Sequence, residues 1–221
     1  MFEQGFAVFE DVLRDVECDS IIETLDLNGA NRSRAGMRNL MSVPEVAKLA
    51  GHPKLIEICR RCTGQAMIPY KATLFNKTGK ANWLVAWHQD TALPVEAVPK
   101  SDGWGAITSK SGVKFAHAPT SALKNILALR LHLDASTIDN GPLRVIPNSH
   151  TKRIFEDSQL RDLIENVPAT ALQVARGGII AMSPLLVHAS SKCVSDSPRR
   201  VLHIEYAKSL EPEPGVRLAI A

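Results

Sequence analysis

From Met67 onward the chain stops reading as helix and breaks into short segments of period two, and that change restricts the fold more than any other feature. The segments are Met67–Asn76, Asn82–Gln89, Asn125–Asp134, Leu143–Ile146, Leu172–Val174, Gly178–Met182, Leu185–Ala189 and Arg199–Ala207, set apart by clusters of Gly, Pro, Asn and Ser. Many short strands with few helices between them build an antiparallel sandwich or barrel. The alternation is clearest in Asn125–Asp134, where Leu127, Leu129, Leu131 and Leu133 share one face and pack a core. Asp139-Asn140-Gly141-Pro142 is a turn of the kind that joins two strands.

The first third is helical. After a short strand within Gly5–Leu13, Asp15 is placed to cap a helix to about Leu25, with Ile21, Ile22 and Leu25 on its apolar side. Ser42-Val43-Pro44-Glu45 has capping-box spacing for a helix through Ala50 that Gly51 ends. Pro53 suits the first turn of another, ending near Gly64, and a short amphipathic helix is expected between Glu156 and Glu165. The expected class is α+β, mainly β: a jelly roll braced by N-terminal helices. No repeat, low-complexity tract or linker divides the 221 residues, so one domain over 1–221 is expected.

Composition removes several classes of function. The longest mostly apolar run, Gly177–Ala189, is interrupted by Ser, Pro and His and is shorter than the ~18 residues of a membrane helix. The N-terminal Met1-Phe2-Glu3-Gln4-Gly5 lacks the features of a secretory signal, so a cytoplasmic protein is expected. The net charge of +3 is scattered, without the basic stripe of a nucleic-acid binder. Four cysteines do not make a disulfide scaffold, and Cys59-Arg60-Arg61-Cys62, with no second pair, reads as a helical pair rather than a zinc or redox motif.

The chemistry concentrates at Trp87-His88-Gln89-Asp90. Positions i and i+2 of a strand share a face, so His88 and Asp90 can offer an imidazole and a carboxylate to one point. His188, after the apolar Pro184-Leu185-Leu186-Val187, supplies a third ligand. Eleven residues later Arg199 opens a strand on the face of Val201, His203 and Glu205, opposite Leu202, Ile204 and Tyr206. Two imidazoles and one carboxylate form the facial set that holds non-haem iron(II) with open positions, and a guanidinium nearby is a fork for the carboxylate of a metal-bound 2-oxo acid.

This order of H-x-D, distal His and Arg resembles the phytanoyl-CoA dioxygenase family. Asn140-Gly141-Pro142-Leu143-Arg144-Val145-Ile146-Pro147-Asn148-Ser149-His150 is similar to the family's NG-x-L-x-x-x-P-G-S-H block, with Asn148 where Gly is usual. Leu131-His132-Leu133-Asp134 and His188-Ala189-Ser190-Ser191 match as well, and the resemblance runs from about Gly5 to Ala207. It implies a double-stranded β-helix of jelly-roll, cupin-like kind and an oxygenase using iron(II), 2-oxoglutarate and O2, which releases succinate and CO2 and hydroxylates a small molecule. His88, Asp90 and His188 would bind iron. Arg199 would hold the distal carboxylate of 2-oxoglutarate with help from Ser190, while Gln89 and Trp104 fall near positions that touch the co-substrate or line its pocket. A retained Asp90 distinguishes this set from related halogenases, which have a small residue there.

Other readings stay open at this level. His132 with Asp134, or His203 with Glu205, are competing H-x-D/E pairs without the downstream His and Arg spacing, and His52, His117 and His150 lack the i+2 carboxylate. Trp83, Trp87 and Trp104 are either packing or substrate-facing. Arg32, Arg34, Arg38 and Lys71 are candidates to hold an anionic substrate, and the segment 94–118 is a candidate lid. The alternatives to an oxygenase are a jelly-roll module that binds a small molecule or metal without catalysis, and a zinc-dependent cupin-like hydrolase or isomerase.

Overall fold

The computed structural model describes residues 3–30, 36–77, 82–151 and 153–221. In chain order the elements are β1 (Phe6–Phe9), α1 (Asp15–Leu27), β2 (Gly36–Met37), α2 (Pro44–Ala50), α3 (Pro53–Thr63), β3 (Ile68–Lys77), β4 (Val85–His88), β5 (Ala92–Val95), β6 (Ile107–Lys110), β7 (Val113–His117), α4 (Thr120–Leu123), β8 (Ile126–His132), β9 (Leu143–Val145), α5 (Asp157–Asn166), β10 (Thr170–Leu172), β11 (Ile179–Met182), β12 (His188–Ser190) and β13 (Arg199–Ala207). The strands pair antiparallel in a six-stranded sheet of order β1-β11-β8-β13-β3-β2, a four-stranded sheet β10-β9-β12-β4 and a three-stranded sheet β5-β7-β6. The two larger sheets make a jelly roll.

The faces of the large sheet divide the chemistry. On its outer side Leu127, Leu129 and Leu131 of β8 and Leu202, Ile204 and Tyr206 of β13 form one apolar cluster with Leu25 of α1, Val46 and Ala50 of α2, and Leu55 and Ile58 of α3. Each such Leu or Ile contributes about 1.5–3 kcal/mol by leaving water, so the helices brace the sheet as expected. The Tyr206 hydroxyl adds a directed link, donating to Ala50 O at 3.0 Å. Cys59 and Cys62 lie in this core as free thiols, their pKa values pushed up by burial to about 12 and about 11.

The inner side is polar where it faces the small sheet. β13 presents Arg199, His203 and Glu205, which pair across the ladder with Lys77, Thr73 and Lys71 of β3, and His203 also pairs with Arg130 of β8. The remainder of the space between the sheets is filled by Ala128, Leu143, Val145, Leu172, Ile180, Met182 and Leu186.

The structure departs from the expectations in several places, among them the strand expected at Leu172–Val174, which lies at Thr170–Leu172. Arg14 rather than Asp15 is the N-cap of α1, with Glu17 accepting from the Arg14 N–H at 2.8 Å. Val43 caps α2, because the Ser42 hydroxyl is used in a tight turn, donating to Asn39 O at 2.7 Å. The strand expected from Leu185 starts only at His188, since Leu186 N–H closes a turn onto Ser183 O at 3.0 Å. The segment 94–118 is not one long loop. It holds the end of β5 and the hairpin of β6 and β7, whose two-residue turn places Ser111 at φ 50° and Gly112 at φ 81°, the twist that favours tight hairpins. Asn148 also adopts a left-handed φ of 66°, a conformation Asn tolerates better than most residues, which accounts for its standing where Gly is usual. Among the described residues no helix is long and apolar enough to cross a membrane.

Candidate metal centre

His88 ends β4, His188 begins β12, and the two are direct partners across the ladder. Asp90 follows two residues after His88 and is fixed by its own N–H, which donates to Pro184 O at 2.9 Å. Each imidazole is oriented by the backbone two residues before it: His88 Nδ1 lies 2.8 Å from Ala86 O and His188 Nδ1 2.8 Å from Leu186 O. A carbonyl only accepts, so both Nδ1 atoms carry the proton and both Nε2 lone pairs point elsewhere. They point at the carboxylate, 3.5 Å from Asp90 Oδ1 and 3.6 Å from Oδ2. One ligand atom from each residue lies within 4.8 Å of the others, and among the described residues this is the only His/Cys/Asp/Glu cluster with that geometry.

The electrostatics follow from the same arrangement. Burial raises the Asp90 pKa, but His188 and His88 outweigh it and hold the carboxyl well below its ordinary range. Burial pushes His188 down to about 4 against the opposing pull of Asp90, whereas at His88 burial is outweighed by the negative charge of Asp90 and the pKa is raised. Two imidazole Nε2 atoms and an ionised carboxylate converging from one side are a fitting donor set for a facially bound iron(II).

A narrow cavity of about 70 Å³ runs from His88, Asp90 and His188 to Arg199, walled by Phe75, Lys77, Trp83, Arg130, Leu143 and Ser190. Arg199 is 2% exposed. Its Nε donates to Asn140 O at 3.2 Å and one terminal nitrogen to Ser190 Oγ at 3.3 Å, while the other, Nη1, is buried without a partner. An orphaned guanidinium donor beside a metal-ligand set fits a carboxylate-bearing co-substrate. Ser190 is a hub more than a ligand: its hydroxyl donates to Gly141 O at 2.8 Å and accepts from Lys77 Nζ at 2.8 Å as well as from Arg199. The Asn140-Gly141 turn thus supports the arginine from below. Gly141 has φ 71°, and a Cβ there would stand 2.4 Å from Ser191 O.

The other expected residues distribute unevenly. Gln89 borders a second, wider cavity of about 410 Å³ above His88 and Asp90, but its amide is engaged, Nε2 donating to Leu185 O at 2.7 Å and Oε1 accepting from Phe155 N at 2.9 Å. Trp104 lines neither cavity. Its indole N–H donates to Glu213 and its ring packs near Val95, Ala116 and Val216, so the structure does not bring it to the site. Trp83 borders the inner cavity and Trp87 lies under Arg144 instead. Asp134 is taken by Arg200, which grips both its oxygens at 2.7 and 2.8 Å. His203 and Glu205 belong to a buried chain with Arg130, Tyr70 and Lys71. His52 caps α3 and His117 bonds Thr91. Arg38 and Lys71 border the outer cavity; Arg32 and Arg34 lie outside the described residues. Lys77, Arg130 and Phe75 were not foreseen. The signal for Lys77 and Phe75 was the parity of Met67–Asn76 extended by one residue, which puts Lys71, Thr73, Phe75 and Lys77 on a single face.

A model of the family described as phytanoyl-CoA dioxygenase matches residues 1–201. No curated protein matches the chain. Among solved structures, the non-heme α-ketoglutarate-dependent carbocyclase SnoK from nogalamycin biosynthesis superposes with a TM-score of 0.68 at 18% identity, covering 93% of this chain and 80% of its own. AviO1 from Streptomyces viridochromogenes Tue57 gives 0.69 at 19% identity, with coverages of 98% and 93%. EctD from S. alaskensis with bound Fe gives 0.70 at 19% identity, with coverages of 96% and 75%, and EctD has also been solved with 2-oxoglutarate and 5-hydroxyectoine. At these identities the likeness shows the shared fold.

Proposed function

The chain belongs to the phytanoyl-CoA dioxygenase family, and from that premise we propose that it is an iron(II)- and 2-oxoglutarate-dependent oxygenase that hydroxylates a small molecule, with residues 1–221 acting as one catalytic unit. The observation that carries this reading is the pairing of two features in one cavity: imidazole Nε2 atoms freed by their Nδ1 bonds to face Asp90, and an arginine donor with nothing to bind. A zinc hydrolase has no use for the second feature, and a passive binder has no use for the first.

In this reading His88, Asp90 and His188 hold the iron, and Arg199 takes the distal carboxylate of 2-oxoglutarate through Nη1. Bound together, iron and 2-oxoglutarate supply activation of O2, with 2-oxoglutarate converted to succinate and CO2 and one oxygen atom delivered to the substrate. The chain's part is positioning. Leu186 and Ala86 carbonyls keep the imidazoles in the tautomer that presents Nε2. Ser190 and Asn140 lock the guanidinium plane, so that little freedom is lost when the carboxylate arrives. Phe75 and Leu143 line the cavity with apolar surface that limits water near the reacting atoms. The substrate is expected in the outer cavity, which opens onto His88 and Asp90. Its neighbours in fold include a carbocyclase and an epimerase, so the product must be read directly.

The test is succinate release from 2-oxoglutarate by protein loaded with iron(II) without oxygen and then exposed to it. Turnover that needs iron and is lost in Asp90→Ala and Arg199→Ala supports the proposal; hydrolytic or isomerase activity with zinc in place of iron would contradict it.

A further inference from the structure

Arg130 is a buried cation with no carboxylate bonded to it among the described residues. It is 6% exposed, its Nε has no partner, and its Nη1 lies 3.1 Å from Nδ1 of His203. The ring of Phe75 covers it at 5.3 Å. Among the described residues it makes no ion pair, and the Glu205 carboxylate farther along the same face is already matched by Lys71 at 2.6 Å and by the Tyr70 hydroxyl at 2.6 Å. Asp90, the remaining acid on this cavity, is committed to the metal centre. Burial lowers the Arg130 pKa to about 10 against the opposing pull of Asp90, which leaves it charged at neutral pH. A buried, charged, partly unbonded guanidinium costs stability unless something completes it, and it borders the inner cavity beside His88 and Asp90.

The wider cavity above carries the same sign of charge. Arg38, Lys71 and Lys110 reach it from three different strands or their flanks. Arg38 and Lys110 have no acidic partner among the described residues, and the Asn39 side chain holds their two segments together by donating to Ser111 O at 3.1 Å. Lys71 and Lys110 both stand 5.5 Å from the ring of Phe115. Ala221 shares this wall, with its N–H and carbonyl bonded to Tyr70 and Ala72. Iron(II) and doubly charged 2-oxoglutarate cancel each other, so their arrival does not neutralise Arg130.

We propose that the primary substrate is an oxyanion, a small molecule bearing a carboxylate or phosphate, and that Arg130 receives that group beside the metal while Arg38 and Lys110 draw it through the outer cavity. This rests on the oxygenase reading and names its substrate class. Arg130 is therefore a specificity residue: it fixes which end of the substrate enters, and so which carbon stands next to the metal.

The test uses whole protein loaded with iron(II) and 2-oxoglutarate in the absence of oxygen, titrated separately with methyl phosphate, acetate and, as a neutral control, glycerol. Binding is read by calorimetry and by change in the visible absorption of the iron–2-oxoglutarate chelate. The expected result is saturable binding of an oxyanion, weakened at least about tenfold in Arg130→Met, partly kept in Arg130→Lys, and absent for glycerol; which of the two anions binds tighter separates phosphate from carboxylate. Thermal melting of metal-free Arg130→Met is expected at or above the wild-type temperature, because an uncompensated buried charge is removed; a purely structural arginine would lower it. Absence of oxyanion binding, equal binding in Arg130→Met, or equal binding of glycerol overturns the proposal. Loss of the chelate absorption itself in Arg130→Met would assign Arg130 to the co-substrate and overturn it too. A wild-type protein that forms no chelate would refute the oxygenase reading, and this inference with it.

Discussion

Lys77 and Arg199 face each other across the β3–β13 ladder and donate to the same atom, Ser190 Oγ, at 2.8 and 3.3 Å. The serine can accept both because its own proton goes to Gly141 O. Two cations are thereby held side by side at the end of the inner cavity away from their mutual repulsion's preferred separation, an arrangement that a dianionic co-substrate relieves.

Replacing Ser190 with Ala should therefore act through its neighbours. 2-Oxoglutarate is predicted to bind more weakly, by roughly tenfold, as one hydrogen bond to each charged group is lost, with iron affinity little changed. Separate titrations of metal and co-substrate check this.

Lys77 gives a pH dependence with a defined sign. Burial, with Arg199 adding to it, lowers its pKa to about 8. The unfolded chain then binds more protons than the folded one between about pH 8 and the ordinary value of 10.5, so this residue's contribution to stability rises with pH across that window. Anion binding runs the other way, since the ammonium charge is lost above about pH 8. The affinity for 2-oxoglutarate is predicted to fall there in the wild type, and in Lys77→Met that step should vanish.

Gly141→Ala tests the support beneath Arg199. The substitution combines a left-handed φ of 71° with a Cβ placed 2.4 Å from Ser191 O, and strain of this kind costs about 1–3 kcal/mol. Urea unfolding should show that loss, together with a raised KM for 2-oxoglutarate.

Leu129→Ala is the contrasting case. Leu129 is fully buried against the helices on the far side of the sheet, and its truncation is predicted to cost about 2–5 kcal/mol of stability while the folded protein keeps its affinity for metal and 2-oxoglutarate.

What the sequence made legible was mostly what depends on parity. The outer face of Leu202, Ile204 and Tyr206, and the inner face that carries Arg199, followed from period two along one uninterrupted strand, and the structure keeps both. The meeting of His88 with His188 followed from spacing and family resemblance. Arg130 was hidden because the strand that holds it advertises its leucines, and its significance comes from register with His203, a long-range pairing that no local pattern encodes. Trp104 departs from the role the resemblance implies because the irregular segment that carries it packs against the C-terminal segment, where its indole N–H donates to Glu213. The β6–β7 hairpin had a readable cue in Ser111-Gly112, obscured by strands too short and exposed to show alternation.

The most direct test of the central claim follows the oxygen atoms. Iron(II)-loaded protein is supplied with 2-oxoglutarate under ¹⁸O₂ and the succinate is examined by mass spectrometry. An iron(II)- and 2-oxoglutarate-dependent oxygenase puts one labelled oxygen into each succinate formed, with no succinate from Asp90→Ala; unlabelled succinate, or formation that persists without iron or in that variant, would contradict this function.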